Sequence, residues 1–433
     1  MDMETSSACS QAVSFLEHLP MYTGKNSLSD IARVLELLGH PERSFRLIHV
    51  AGTNGKGSTC AFLESIFRGM GVKTGLFTSP HLIRINERIR VDGEMIPDGA
   101  FADALLRVRQ AVERWKEEGG RQLAYFETLF AMGLCYFQES GIRLLICETG
   151  LGGRLDATNA IASADCVVIT SVSLDHTQYL GETVEEIAFE KAGIIRRNTP
   201  VVYCAKDAKS AGVIERVAKE RNAEPIPLTP DMFCVTAKQE GRICAGLDTK
   251  DGSVLTLQIP FEAEIQAENA CLAALCALRL GASEDAVRSG IARCVWSGRM
   301  ERIRPDVYVD GAHNPDAIRQ IAAEIRRTAE KRRVWLLTAI VSDKNHAGMV
   351  QELCRGVTYA GIMVTSVGGS RQLDVQTLAE EFRRAGQKRV ETQPDAEKAY
   401  QRALQEKGDS VLFCVGSLYL VGEILSVEQE RTE

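Results

Sequence analysis

Short apolar runs rich in Val, Ile and Leu alternate along the chain with longer stretches whose apolar positions recur at helical spacing. That alternation predicts parallel sheets joined by crossover helices. Strands are expected over 44–50, 72–78, 143–149, 164–170 and 200–204, and helices over 58–70, 98–117, 126–139 and 183–195. The last of these opens on Thr183-Val184-Glu185-Glu186, a capping-box pattern. From about 231 to 260 the period shortens to alternating runs with a turn at Asp251-Gly252, which predicts a β-hairpin decoration, and a helix over 267–280 follows. A second series then begins, with strands over 307–310, 334–341, 360–366 and 411–415 and helices over 315–330, 345–355, 374–385 and 417–427. Trp296-Ser297-Gly298-Arg299 reads as the hinge between the two series, so domains are expected at 1–297 and 298–433.

Composition narrows the class. The 433 residues are enough for two or three domains, each with a core of its own. With 45% hydrophobic and 25% charged residues the chain is neither disordered, collagenous nor a disulfide scaffold. A formal net charge of −7 gives no support to nucleic acid or an anionic membrane as the main partner, which leaves small molecules. The 13 cysteines form no C-x-x-C pair and sit largely in apolar runs such as Leu145-Ile146-Cys147 and Leu412-Phe413-Cys414. They read as reduced core thiols of a cytoplasmic protein. Met1-Asp2-Met3-Glu4 is acidic and is followed by no apolar signal region, and no apolar run reaches the roughly 18 residues of a membrane span.

The strongest chemical signal is Val50-Ala51-Gly52-Thr53-Asn54-Gly55-Lys56-Gly57-Ser58-Thr59, between an expected strand and an expected helix. Glycines let the backbone curl its N–H groups toward a phosphate chain, the helix N-terminus adds partial positive charge and Lys56 a full one. The segment departs from the usual G-x-x-x-x-G-K-[ST], with Val50 in place of the first glycine and Gly57 directly after the lysine. The competing reading is an ordinary glycine-rich turn. Ser79, Glu148 and His176 each follow the carboxyl end of an expected strand, the edge at which open parallel sheets bind ligands. Mg²⁺ favours oxygen donors, which suits Ser79 and Glu148 better than His176. Singly, Glu148 reads equally as a paired carboxylate and His176 as a satisfied loop histidine. Gly150-Leu151-Gly152-Gly153-Arg154-Leu155-Asp156 is either a second anion-contacting loop or a tight turn. Lys191, in the last turn of its helix, reads on sequence alone as a structural dipole partner. Asp310-Gly311-Ala312-His313-Asn314-Pro315 repeats the strand, turn and helix logic in the second series, with Pro315 at a helix start.

These residues resemble the folylpolyglutamate synthase and dihydrofolate synthase group of the Mur ligase superfamily. The matching segments are Ala51 to Thr59, Thr78-Ser79-Pro80-His81-Leu82 with Asn86-Glu87-Arg88-Ile89, Glu148 with Gly150 to Asn159, Ser173 to Thr177, Glu190 to Gly193, Asp310 to Pro315 and Gly416 to Glu423. They run in order across most of the chain. The resemblance implies an α/β chain: an N-terminal P-loop-type ATPase domain on a mostly parallel sheet, then a smaller Rossmann-like α/β domain, with substrates bound between the two. It further implies that Gly52, Thr53, Asn54, Gly55, Lys56, Gly57, Ser58 and Thr59 hold ATP, with Asn269, Arg299 and Asp310 as further nucleotide contacts. Ser79, Glu148 and His176 are implied to bind Mg²⁺, and Lys191 to be carbamylated. Lys56, Lys191, His313 and Ser417 are the implied catalytic positions, with His313 and Ser417 near the incoming glutamate. Thr149, Gln178 and the stretch Thr365 to Arg371 differ from the family's usual residues, and Ser297-Gly298-Arg299 is a loose form of its hinge.

The reaction so implied is ATP-dependent ligation of L-glutamate to a folate, with dihydropteroate as a further acceptor, by a monomeric cytoplasmic enzyme. Two other readings compete. A cell-wall ligase of UDP-muramyl substrates usually carries a separate N-terminal domain, for which the roughly 50 residues before the phosphate loop are too few. A non-ligating nucleotide switch leaves the Asp310 to Pro315 motif without a use.

Overall fold

The computed structural model describes residues 2–21, 28–239, 241–249, 252–368 and 371–431. Two compact units emerge, the first from Met1–Ala237, Cys244–Pro260 and Gln266–Val295, the second from Lys238–Ile243, Phe261–Ile265 and Trp296–Glu433. The main division thus falls after Val295, close to the hinge read from Trp296 to Arg299, while two short segments near residues 240 and 263 go with the second unit.

In the first unit eight strands lie in the order Glu94–Met95, Ile89–Val91, Thr74–Phe77, Leu144–Glu148, Arg46–Ala51, Cys166–Ile169, Val201–Cys204, Pro225–Leu228. All neighbours run parallel except at the first two strands. The central strands are buried almost throughout, Arg46 excepted, and are mostly apolar because helices cover both faces and leave no side for polar alternation. Register fixes the site: Val50 pairs with both Glu148 and Val168, and Phe77 pairs with Cys147. Four strands therefore end nearly level, and the segments beginning at Gly52, Thr78, Thr149 and Thr170 leave the sheet along one edge.

The helices Asp2–Glu17 and Ser29–Leu37, for which the sequence offered no expectation, pack on Asp98–Glu117 and Tyr125–Ser140. Leu16, Ile31 and Val34 join Phe101, Phe130 and Phe137 in one core, where Phe77 and Phe130 meet edge to face at 5.3 Å. The residues before the phosphate loop are thus part of the ATPase unit's core. Between 233 and 259 the expected hairpin is in fact a three-stranded sheet of Phe233–Gln239, Arg242–Asp248 and Val254–Ile259, with Arg242–Asp248 in the middle. Asp251 of the expected turn lies outside the described residues, as do Gly369 and Ser370 of the stretch that departs from the family.

The second unit holds six strands in the order Glu301–Arg304, Val307–Asp310, Val411–Val415, Val334–Thr338, Gly361–Val364, Val390–Thr392, parallel except for the first pair. Asp310, Val415, Thr338 and Val364 end level, so Gly311–Asn314 and Gly416–Ser417 leave by a common carboxyl edge. Ile318, Ile325, Leu336, Phe382 and Phe413 fill its core.

Candidate functional site

The phosphate loop is held by the segment that follows its neighbouring strand. Thr53 N donates to Ser171 O at 2.7 Å, Thr53 Oγ1 donates to Ser173 O at 3.1 Å, and Thr170 Oγ1 donates to Asn54 O at 2.7 Å. Two glycines make that closeness possible. A Cβ on Gly52, at φ +151°, would lie 1.7 Å from Thr170 Oγ1, and one on Gly55, at φ +85°, would lie 2.1 Å from Asn269 Oδ1. Asn269, 214 positions beyond Gly55 in numbering, is thereby placed directly on the loop. Gly55 caps the helix Lys56–Gly69, so the amides of Lys56, Gly57 and Ser58 form an open N-terminal turn of the kind that can bind phosphate. The Thr59 N–H is already spent on Gly55 O at 2.9 Å. Lys56 Nζ donates to Thr53 O at 3.2 Å and stands 3.8 Å from Glu148 Oε1.

Glu148 is only 4% exposed, and its other oxygen accepts from Ser79 N at 3.1 Å. Ser79, Glu148 and Lys56 are therefore assembled in one place. His176 caps the short helix Thr177–Leu180 in the left-handed region, at φ +50°, with Nε2 3.9 Å from Asp175 Oδ1. Among the described residues no three His, Cys, Asp or Glu side chains form a ready metal centre.

Lys191 goes beyond the reading of a structural dipole partner. It lies in the last turn of Val184–Ala192, but it is 3% exposed and its Nζ donates to Gly52 O at 2.8 Å. Burial, reinforced by the Lys56 charge and opposed by Asp175 and Asp156, brings its pKa down to about 7. Much of it is then the neutral amine at neutral pH. The turn from Gly150 is tight, with Gly152 at φ +67°, Leu151 N donating to Asp156 Oδ2 at 2.8 Å and Arg154 paired with Glu190 at 2.8 Å. The clamping roles of Asp156, read only as part of the glycine-rich turn, and of Thr170, not singled out at all, escaped the sequence reading. A Thr at a strand end and an Asp two places before another Thr carry no signal until their neighbours are in place.

In the second unit, Asp310 is 4% exposed and accepts from Met300 N at 2.7 Å and Ala312 N at 2.8 Å. Burial raises its pKa against the lowering effect of Arg299 and of those two amides. It thus ties the 298–300 segment to the 311–312 turn, a structural task that the sequence did not announce. Arg299 Nη1 donates to Gly298 O at 3.0 Å. His313 Nδ1 donates to Gly311 O at 2.9 Å, since a carbonyl can only accept. Ser417 caps Leu418–Glu430, its Oγ accepting from Tyr419 N at 3.2 Å, and Asn314 caps Pro315–Ala329.

Residues 298–418 match the family model described as Mur ligase, glutamate ligase domain. The dihydrofolate synthase/folylpolyglutamate synthase of Bacillus subtilis is 36% identical over 342 residues, which is 76% of this chain and 79% of that protein. The chain belongs to the dihydrofolate synthase/folylpolyglutamate synthase family. Its fold superposes on Mycobacterium tuberculosis folylpolyglutamate synthase complexed with ADP with a TM-score of 0.90 at 30% identity, covering 98% of this chain and 99% of the other. For Escherichia coli FolC in complex with DHPP and ADP the TM-score is 0.85, again at 30% identity, covering 98% of each chain. The chain is accordingly an ATP-dependent, amide-forming ligase with an α/β ATPase unit and an α/β C-terminal unit, and the cell-wall and switch readings fall away. Among the described residues no helix is long and apolar enough to cross a membrane.

Members of this family work with ATP and Mg²⁺, and the residues here fit the metal. Glu148 and Ser79 offer oxygen, and the buried hydroxyls of Thr59 and Thr149, one in the first turn after Lys56 and one beside Glu148, have no hydrogen-bond partner. Such an oxygen-rich, under-satisfied set suits a hard cation that completes its shell with phosphate and water.

Proposed function

We propose that this chain joins L-glutamate to a folate through an acyl phosphate, with the phosphate loop and Lys56 as its phosphoryl-transfer machinery. A free carboxylate cannot expel oxide, so it must be activated first. The folate carboxylate attacks the γ-phosphorus of ATP, ADP leaves, and the glutamate amine then attacks the acyl carbon and expels phosphate. The amides of Gly57 and Ser58 and the Lys56 ammonium stabilise charge on the transferring group, a positioning and electrostatic task that needs no side-chain nucleophile. Mg²⁺, held by Ser79 and Glu148 with His176, would neutralise phosphate charge and align the oxygens. Asn269, Arg299 and Asp310 complete the nucleotide site, and His313 and Ser417 receive the amino acid.

Lys191 is assigned as a carbamate. A neutral amine attacks CO₂, forming an N–C bond and releasing a proton, and this turns a buried cation into an anion that no longer repels Lys56. A pKa of about 7 supplies the neutral amine. The single observation that carries the whole reading is Lys56 standing on the loop carbonyl of Thr53 and 3.8 Å from Glu148.

The thirteen cysteines are all free, which supports a reducing cytoplasmic setting, and a monomer is the expected state. Both tetrahydrofolate and dihydropteroate are expected as acceptors. Phosphate release measured with each, with and without glutamate, tests the proposal; release that ignores glutamate with both acceptors would overturn it.

A further inference from the structure

His49 lies three residues before Gly52, in the middle of the strand Arg46–Ala51, and is 0% exposed. Its Nε2 is 2.8 Å from Thr158 Oγ1, and its Nδ1 is buried with no hydrogen-bond partner. Thr158 Oγ1 in turn lies 2.6 Å from Asp156 Oδ1, a separation typical of a hydroxyl donating to a carboxylate. The Thr158 hydrogen is therefore spent on Asp156, and its oxygen can only accept from the imidazole. That fixes the ring as the neutral Nε2–H tautomer, with Nδ1 as a bare lone pair, the cheaper of the two orphans.

The contacts go on to close a ring. Asp156 Oδ1 also accepts from Thr158 N at 3.0 Å, and Oδ2 accepts from Leu151 N at 2.8 Å, which closes the glycine-rich turn. That turn docks on the lysine-bearing helix, with Arg154 N donating to Glu190 O at 2.8 Å. Lys191 then donates to Gly52 O, on the loop that the His49 strand feeds. Resting on the proposed function, we infer that His49 is a positioning residue for ligation: through Thr158 and Asp156 it holds the turn after Glu148, and with it Lys191, in register with the phosphate loop. The phosphate loop keeps its own clamps at Thr170, Ser171 and Ser173, so nucleotide binding does not depend on the ring.

The test uses the full chain. His49→Leu should cut kcat about tenfold or more, as displacing a positioned group does, with ADP affinity within about twofold of wild type. His49→Gln, whose amide reaches as far as Nε2, should restore most of kcat. Combining His49→Leu with Thr158→Val should cost no more than either alone, because both break one relay. Nitrogen NMR of the unmodified chain should show this ring protonated at Nε2 only, a readout that holds even if a variant fails to fold. An Nδ1–H signal, additive losses in the double variant, or full kcat in His49→Leu each overturns the inference. A wild-type chain that ligates no glutamate at all would instead sink the proposed function and leave the tautomer result standing.

Discussion

In the proposed mechanism the chemistry turns on Lys56, the cation at the open helix terminus after Gly55. Lys56→Ala should abolish glutamate-dependent phosphate release while leaving circular dichroism unchanged, and near-normal turnover would refute the assignment. Glu148→Gln keeps the shape but removes the anion; the Mg²⁺ concentration for half-maximal activity should rise by about tenfold, and an unshifted titration would remove Glu148 from the metal site. Lys191 carries a pH prediction. Kept free of CO₂, and so as the unmodified amine, it has its pKa brought down to about 7 in the folded chain, against 10.5 when unfolded. Between those values the unfolded chain binds more protons, so stability rises with pH; below pH 7 both states are charged and the full penalty of burying an ammonium stands. Lys191→Met should abolish ligation and yet stabilise the chain, most at or below pH 7 and ever less toward 10.5. Denaturant titrations in CO₂-free buffer at about pH 6 and about pH 9 would show this as unequal gains over the unmodified wild-type chain.

At the scale of elements, legibility followed burial. The strands Val307–Asp310 and Val411–Val415 and the helix Asp98–Glu117 fall where the pattern puts them, because uninterrupted apolar runs and a long amphipathic face each have one physical meaning. Pro225–Leu228 was hidden by its two prolines, which are tolerable only because the strand sits at the sheet's edge. Asp2–Glu17 was hidden for a different reason: its apolar positions, several of them small, draw no strong one-faced stripe, and Leu16 finds its partners on helices about a hundred residues away. In the site the phosphate loop, Glu148 and Ser79 were legible from spacing and strand ends, but the burial of Lys191 was not, since a lysine near a helix C-terminus has the same local pattern whether it meets water or a loop carbonyl. Among these elements the phosphate loop is the least tolerant. Gly52→Ala would drive a methyl into Thr170 Oγ1, and that collision should loosen the Thr170–Asn54 bond and weaken ADP binding by about tenfold or more. Unchanged ADP affinity would mean that the loop is not held as described.

Over the whole molecule, the two units have separate cores, one gathered around Phe101, Phe130 and Phe137 and the other around Leu336, Phe382 and Phe413. Such a chain need not unfold in a single step. A ligand that binds only the folded form stabilises whatever it touches, by about 2.7 kcal/mol at a hundredfold excess over Kd. The phosphate loop and Asn269 belong to the first unit, Arg299 and Asp310 to the second. If all of them contact the nucleotide, as proposed, ADP should raise both melting transitions of the wild-type chain. Lys56→Ala should abolish both shifts, whereas Asp310→Asn should spare the first and shrink the second. Calorimetry with and without ADP reads each transition directly. A wild-type scan in which only the first transition moves would take Arg299 and Asp310 out of the nucleotide site and leave Asp310 with the task its hydrogen bonds already show, fastening the 298–300 segment to the turn that bears His313.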